Sequence, residues 1–569
     1  MWPAIETWHG RLVGETFART KRLLYPESTH RKLFIMSSLP RTCDFARPLH
    51  SSRRDLLDVA FLVGSTFFAA TPAYAQQFPF GAQHQAYRAG TLTPSNYTRT
   101  QLNQHVADYY GVWKGRWLAA DPGGNGWRVK SDASGRTVSE GQGYGMVIVA
   151  AMAGHDPQAK TIFDGLWQFR LAHPSSIDNR LMDWEVPNTD GNDSAFDGDA
   201  DIAYGLLMAH AQWGSAGTVD YLSAAKNVIA GIRASTIGPQ SKLPMLGDWV
   251  SPNGSTYSQW TTRSSDFMPG HFRAYGAATG DAPFWNSVVT ATQNVVTDIQ
   301  SNESAATGLL PDFIKLVGAS RDPQPAPNLL EGANDGNYWY NAGRDPWRLG
   351  VDAILNNDPV TIAQVQKLSD WARTSTGGDP NKVRGGYKLD GTQLNSWQDI
   401  FFIAPLSVAA MTGEGAVDQQ WLNSLYNRVY QSHNTGDYYG DAVTLQSLLA
   451  VTGNFWDPTA VIAAPKPLGD FDNDGDVDGT DLGRWRNSFG VNNQADADED
   501  GDSDGDDFLI WQRGFQPSPS ATSAVPEPTL ATLFLSGLTV VAGSRAHCRA
   551  FSPWLRQGVG CHTGKRRPA

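Results

Sequence analysis

The stretch SAFDGDADIAYGLLMAHAQW, Ser194 to Trp213, decides what kind of fold this chain builds. Its residues Ile202, Leu206, Ala209 and Trp213 step by three and four, the spacing of one face of a helix and not of a strand. Asp197, Asp199 and Asp201 crowd its entrance, where the dipole and free N–H groups of a helix favour negative charge. The same periodicity recurs at Leu222, Ala225, Ile229 and Ile232, and again at Val288, Val289, Thr292, Val295, Val296 and Ile299. Gly, Pro and Asn clusters separate these segments, and few alternating strand patterns compete. The sequence therefore predicts a predominantly α body over residues 76–460.

The whole chain has 569 residues, 45 Lys and Arg against 57 Asp and Glu, and a net charge of −12. That length allows roughly two to four domains. An acidic balance argues against a nucleic-acid partner, which needs a basic face. No charge-free apolar run reaches the ~18 residues of a membrane span, which excludes a multi-span protein. The three cysteines, Cys43, Cys548 and Cys561, leave residues 44–547 without a thiol, so neither a disulfide nor a Cys-based metal site is expected there.

A long helical body with aromatic residues in its loops suits a cleft for an extended polymer, because the apolar face of a pyranose packs well on a flat ring. Trp127, Trp184, Trp249, Trp260, Trp339 and Tyr439 sit in glycine-rich or polar contexts outside the helical stripes. Three motifs add carboxylates. Val138-Ser139-Glu140-Gly141-Gln142-Gly143-Tyr144-Gly145-Met146 sets a lone Glu before an apolar helix expected from Met146, where burial would raise its pKa for general-acid work. Leu181-Met182-Asp183-Trp184 precedes the Asp197 cluster. Asn328-Leu329-Leu330-Glu331-Gly332-Ala333-Asn334-Asp335 runs on to Tyr340-Asn341-Ala342-Gly343-Arg344.

Taken together, the order and spacing of these motifs resemble glycoside hydrolase family 8 over nearly all of residues 85–458. The resemblance implies an all-α catalytic domain, an (α/α)6 barrel, and inverting endo-hydrolysis of β-linked glucans. It sets Glu140 in the place of the general acid, Asp197 in that of the Asp that holds the sugar at the cleavage point, and Trp184 in that of a stacking Trp. Phe196 and Gly205 depart from the usual hydroxyl and small residues. Asn341 is the larger departure. Many members have an Asp there as general base, and an amide cannot accept the proton of a water. One branch also has Asn and uses a Glu ten residues upstream, which Glu331 matches; Asp183 and Asp335 are the other candidates. Asp266 stands where other members have a Tyr, as in that branch, which includes lichenase, cellulase and chitosanase activities. Tyr340 and Arg344 would orient water or carboxylates, and Tyr439 would contact substrate. The expected activity is cleavage of internal β-1,4 bonds in mixed-linkage or cellulose-type glucan, with no cofactor for catalysis. A chitosanase, or a non-catalytic polysaccharide-binding scaffold, is the alternative.

Residues 470–507 hold 13 Asp and one Glu against two Arg, a net −12 by themselves. Asp470, Asp472, Asp474, Asp476, Asp478 and Asp481 occupy the ligand register of a calcium loop, with Gly475 at the sharp turn. Asp496, Asp498, Asp500, Asp502, Asp504 and Asp507 repeat it around Gly501. A helix-like stretch follows each loop, Leu482–Ser488 and Phe508–Arg513. Loop plus one helix, duplicated, resembles a dockerin type I module. That resemblance implies Ca2+ binding over residues 469–516 and a cohesin-like partner, although Gly479-Thr480 and Gly505-Asp506 depart from the usual recognition pairs.

Proline-rich segments at 461–468 and 517–524 read as linkers. Arg53-Arg54, the apolar run Val59–Thr71 and Ala73-Tyr74-Ala75 make residues 1–75 an extension ending in a secretion signal. Val525-Pro526-Glu527-Pro528, an apolar run and then Arg545 and Arg549 make 525–569 resemble a PEP-CTERM sorting tail. The expected location is outside a bacterial cell or on its surface, with membrane contact only during sorting.

Overall fold

The computed structural model describes residues 78–82, 85–189, 191–432, 436–460, 468–472, 477–498 and 500–515. The secretion signal, the sorting tail and all three cysteines lie outside them. The chain divides into two units, Met1–Pro465 and Lys466–Ala569.

Among its described residues the first unit holds twelve α-helices, in chain order α1 (Arg99–Trp117), α2 (Ser139–Ala151), α3 (Ala159–Ala172), α4 (Phe196–Trp213), α5 (Tyr221–Ser235), α6 (Pro269–Thr279), α7 (Ala282–Asn302), α8 (Asp345–Asn356), α9 (Pro359–Thr376), α10 (Ala404–Ala410), α11 (Gly415–Tyr430) and α12 (Tyr438–Val451). The even-numbered helices are apolar and buried nearly all round; α10 and α12 bury every residue, and α2 buries all but Glu140. Such helices belong inside a double layer. The odd-numbered ones bury a single stripe, as α1 does with Leu102, Val106, Tyr109, Tyr110, Trp113 and Trp117.

Packing turns that alternation into a closed shape. Successive inner helices touch, α2 to α4, α6, α8, α10 and α12, and α12 returns to α2. Outside them, α3, α5, α7, α9 and α11 pack on α2, α4, α6, α8 and α10, and α1 packs on α12. The product is an (α/α)6 barrel. Helix α2 begins at Ser139, seven residues before the expected Met146. Its glycines read as a turn, but they serve contact. A Cβ on Gly143 would sit 2.7 Å from the Asp201 Cβ, and one on Gly205 2.9 Å from the Met146 Cβ. A Cβ on Gly198 would collide with the Ser139 backbone carbon at 2.5 Å.

Among the described residues three small antiparallel sheets decorate the barrel: β1 (Leu118–Ala120) with β2 (Trp127–Val129), β3 (Thr137–Val138) with β4 (Glu185–Val186), and β5 (Thr261–Arg263) with β6 (Phe313–Val317) and β7 (Asp322–Pro325). Two of them place functional loops. Pairing of Val138 with Glu185 sets Trp184 beside the start of α2, where the Ser139 N–H donates to the Trp184 carbonyl at 2.9 Å. Pairing of Arg263 with Phe313 brings Asp312 beside Ser264.

In the second unit, α13 (Gly479–Ser488) and α14 (Gly505–Gly514) begin three residues earlier than the sequence suggests. Asp478 and Asp504 cap them, each in a reciprocal box with the Asp three positions on, Asp481 or Asp507. The two halves clasp one another. Trp485 Nε1 donates to the Asp504 carbonyl at 2.7 Å, and Trp511 Nε1 donates to the Asp478 carbonyl at 2.8 Å.

Gly198→Ala tests the close approach of α2 and α4. The added methyl should cost about 1–3 kcal/mol through overpacking and lower Tm by a few degrees. A thermal melt matching wild type would show that α2 and α4 can separate freely.

Candidate active site

The openings of the inner helices carry the polar residues. Glu140 and Asp197 lie in the first turns of α2 and α4, Tyr438 and Tyr439 open α12, and Arg344 ends a single 3-10 turn, Ala342–Arg344, just before α8. Carboxylates are favoured at helix starts by the unpaired N–H groups there. Arg344, wholly buried, gathers them. Its Nη1 donates to Glu140 Oε2 at 2.8 Å, Asp197 Oδ2 at 2.8 Å and the Tyr144 hydroxyl at 3.1 Å. Its Nη2 donates to Ser265 Oγ at 2.7 Å and Asn341 Oδ1 at 3.0 Å.

Environment separates the two carboxyl groups that share this guanidinium. Burial pushes Glu140 up to about 7, with the Arg344 charge opposing it and Asp197 adding to it. Asp197 is buried too, but Arg263 and Arg344 outweigh that burial and hold it below the usual carboxylate range. Arg263 Nη1 reaches Asp197 Oδ2 at 3.1 Å. One carboxyl therefore carries a proton near neutrality while its neighbour stays ionised. Tyr438 donates its hydroxyl to Glu140 Oε1 at 2.7 Å and leaves the Arg344-bound oxygen on the other side of the carboxyl.

Glu331 comes from a loop pinned from below. The Asp335 carboxylate accepts from the Leu330 N–H at 2.8 Å and the Glu331 N–H at 3.1 Å, and Tyr257 donates to the Leu329 carbonyl at 3.0 Å. Asp335 thus holds the backbone of Glu331. Asp183 is likewise engaged with Asn188, Oδ2 accepting at 2.9 Å. Asn341 joins Glu331 to the rest. Its Oδ1 faces Arg344, which can only donate, so its Nδ2 points the other way and donates to Glu331 Oε2 at 2.9 Å and Asp312 Oδ2 at 3.3 Å. An aspartate at this position would set a third carboxylate against both. With Glu331 in place the amide is the residue that fits.

Of the other expected residues, Asp266 is completely buried, with Arg263 Nε 4.0 Å away. Burial pushes its carboxyl up to about 7. Tyr439 is buried, donates to the Tyr340 carbonyl at 2.7 Å and lies under the Arg344 guanidinium. The Tyr340 hydroxyl donates to Asp399 Oδ2 at 3.0 Å. Trp184 is half-buried, and the Arg136 guanidinium sits over its ring. Phe196 packs edge-on against Phe272 in the core.

Sequence reading missed Arg263, Tyr438 and above all Asp312. Asp312 is buried and accepts from the backbone N–H groups of Trp339, Asn341 and Ala342 at 3.0, 3.1 and 2.8 Å, which shapes the whole turn. Burial pushes its carboxyl up to about 8. Its one local signal is a lone Asp between Leu310-Pro311 and the apolar Phe313-Ile314.

In the second unit, oxygen atoms of three acidic groups converge within 4.8 Å: Asp470, Asp472 and Asp481; Asp496, Asp498 and Asp500; Asp502, Asp504 and Asp507. Asp478 instead caps α13 through the Thr480 N–H at 2.6 Å. Asp474 and Asp476 lie outside the described residues. Asp500, ahead of burial, and then its other acidic neighbours hold Asp502 above the usual carboxylate range. Clustered carboxylate oxygens are a donor set that fits a hard divalent cation.

The model for the glycosyl hydrolases family 8 matches residues 95–453. The chain belongs to that family. The match covers all twelve barrel helices and none of the second unit. A β-glucanase of Niallia circulans is 40% identical over 399 residues, covering 69% of this chain and 94% of the relative. An endoglucanase of Bacillus sp. strain KSM-330 is 36% identical over 420 residues, covering 71% and 86%. Among solved structures, a β-1,3-1,4-glucanase from Paenibacillus sp. X4 is 40% identical with a TM-score of 0.64, covering 67% of this chain and all of that one. Family membership agrees with the closed ring of six helix pairs.

Tyr438→Phe checks the electrostatics of Glu140. The tyrosine hydroxyl favours the ionised carboxylate, so its loss should raise the Glu140 pKa by about half a unit to one unit, the worth of one hydrogen bond. Carboxyl-carbon NMR of the labelled glutamate reads it. A fall would contradict the arrangement.

Proposed function

We propose that the protein is an endo-acting β-glucan hydrolase that inverts the anomeric centre, with Glu140 as general acid and Glu331 as general base. The observation that carries this reading is the hydrogen-bonded line from Glu140 through Arg344 and Asn341 to Glu331. It holds two carboxyl groups at opposite ends of a rigid spacer. Inversion needs the two carboxyl groups about 6.5–9.5 Å apart, so that a water fits behind the sugar. In this mechanism protonated Glu140 gives its proton to the leaving oxygen. Glu331 takes a proton from the water attacking the opposite face, and anionic Asp197 steadies the positive charge that develops on the ring. Because Glu140 must be protonated and is raised to about 7, turnover should fall as pH rises through neutrality.

The relatives named above are glucanases, which favours mixed-linkage or cellulose-type glucan over chitosan. A purely binding role has no use for a largely buried acid raised to neutrality and opposed by a second carboxyl group. Incubation with barley β-glucan, carboxymethylcellulose and chitosan, with proton NMR of the first products, tests the whole reading. The α-anomer should appear first, from the glucans. Glu140→Gln and Glu331→Gln should each lose about 10²–10⁴-fold in kcat, the typical share of acid–base catalysis. First products in the β configuration, or a Glu331→Gln variant at near-normal turnover, would sink the assignment.

For the second unit we propose Ca2+ binding by the two loops, with a structural role. The support is the doubled ligand register and the convergence of carboxylate oxygens. Asp470, Asp472 and Asp481 would hold one ion; Asp496, Asp498, Asp500 and Asp507 would hold the other. Neutralising so many like charges should tighten the module. Limited proteolysis of the full chain should show residues 468–515 protected by millimolar Ca2+ and cut in EDTA, with the barrel cleaved equally in both. Equal cutting of the module would refute the assignment. Docking to a cohesin-like partner would follow from the same resemblance, and the pairs at Gly479-Thr480 and Gly505-Asp506 would set its specificity.

A further inference from the structure

A stack of rings leads outward from the catalytic guanidinium. Arg344 lies 5.6 Å from the Tyr439 ring centre. Tyr439 stacks on Phe401 at 4.6 Å and 27°, Phe401 on Tyr340 at 5.4 Å and 28°, and Tyr340 on Trp397 at 6.3 Å and 23°. Tyr439 and Phe401 are buried and Tyr340 is half-buried, while Trp397 is 42% exposed. Among the described residues no other tryptophan is so exposed. Trp339 meets the same indole edge-on at 5.9 Å.

The chain around Trp397 is built to hold its ring. The Gly385 N–H donates to the Trp397 carbonyl at 3.1 Å, and the Trp397 N–H donates to Asn395 Oδ1 at 3.2 Å. A Cβ on Gly385 would run into the six-membered ring of Trp397, and one on Gly386 into that of Trp339. Two adjacent glycines therefore lie flat against two indoles. Leaving a large ring in water forfeits the free energy of burying it, and fixing it there loses side-chain entropy as well. A rigid ring, backed by other rings and open to solvent, is the surface on which a pyranose stacks by its C–H face. The exposed polar neighbours Ser396 and Gln398 could meet its hydroxyl groups.

Position ties this surface to the reaction. Tyr340, which supports Trp397, directly precedes Asn341, the residue that holds Glu331. We propose that Trp397, backed by Tyr340 and Trp339, is a stacking platform for a glucosyl residue of the polymer outside the cleavage point. The platform rests on the β-glucan hydrolase reading. It binds substrate and takes no part in proton transfer, so its removal weakens binding more than turnover.

Initial rates on barley β-glucan are to be compared for wild type, Trp397→Ala, Trp397→Phe and Gly385→Ala. Trp397→Ala should raise KM about fivefold or more, the usual worth of an aromatic contact, with kcat within about twofold. Trp397→Phe should recover most of the loss. Gly385→Ala, which displaces the indole without deleting it, should behave like Trp397→Ala. An unchanged KM in Trp397→Ala overturns the platform and leaves the hydrolase intact, as does a loss confined to kcat. No turnover of any β-glucan by wild type overturns the hydrolase reading and the platform with it.

Discussion

A single buried guanidinium organises the candidate active site of this barrel. Arg344 has no exposed surface and spends its donors on Glu140, Asp197, Tyr144, Ser265 and Asn341. A charge taken out of water is strongly disfavoured unless it is paired and hydrogen-bonded, and removing one partner of such a set typically costs about 3–5 kcal/mol. The segments that supply those partners are thereby bound to one position. They come from the starts of α2 and α4, the turn after β5 and the turn before α8, segments far apart in sequence. The fold cannot relax this constellation without stranding a charge.

The same arginine explains how two acidic groups in one small space come to differ. Glu140 shares Arg344 with Asp197, and Asp197 also has Arg263. With one cation to a half share, burial prevails at Glu140 and keeps the proton on; with two cations, charge prevails at Asp197 and keeps the proton off. Glu331 is held apart by Asn341, whose amide presents an oxygen to the arginine and a nitrogen to the glutamate. The residue that first looked like the loss of a catalytic base hydrogen-bonds to Glu331, the carboxylate proposed in its stead.

Much of this was legible in the residues themselves. The three-and-four spacing of Ile202, Leu206, Ala209 and Trp213 survives as a helix because burial of a stripe is a local property. Glu140, Asp197 and Glu331 stood out because a carboxylate among glycines or at a helix entrance has few structural uses. Asp312 and Arg263 did not stand out. Neither sits in a motif, and their importance arises from a strand pairing, Arg263 beside Phe313, that joins segments fifty residues apart. The early start of α2 was hidden for a related reason. Glycine lowers helix propensity, and only the approach of α4 to within contact of Gly143 shows why propensity is overridden there. The ring stack from Tyr439 to Trp397 is likewise invisible along the chain, since its members lie in three separate segments.

The amino-acid sequence by itself determined the helical class, the family resemblance, the candidate carboxylates and the doubled acidic register of the second unit. These follow from periodicity, spacing and residue chemistry, which act over a few positions. Tertiary structure alone decided which carboxyl keeps its proton, which residues hold Glu331, and which aromatic ring faces water. Those outcomes depend on desolvation and on charges brought close from remote parts of the chain. Both are set by the closure of six helix pairs into a ring and have no counterpart in any local stretch of residues.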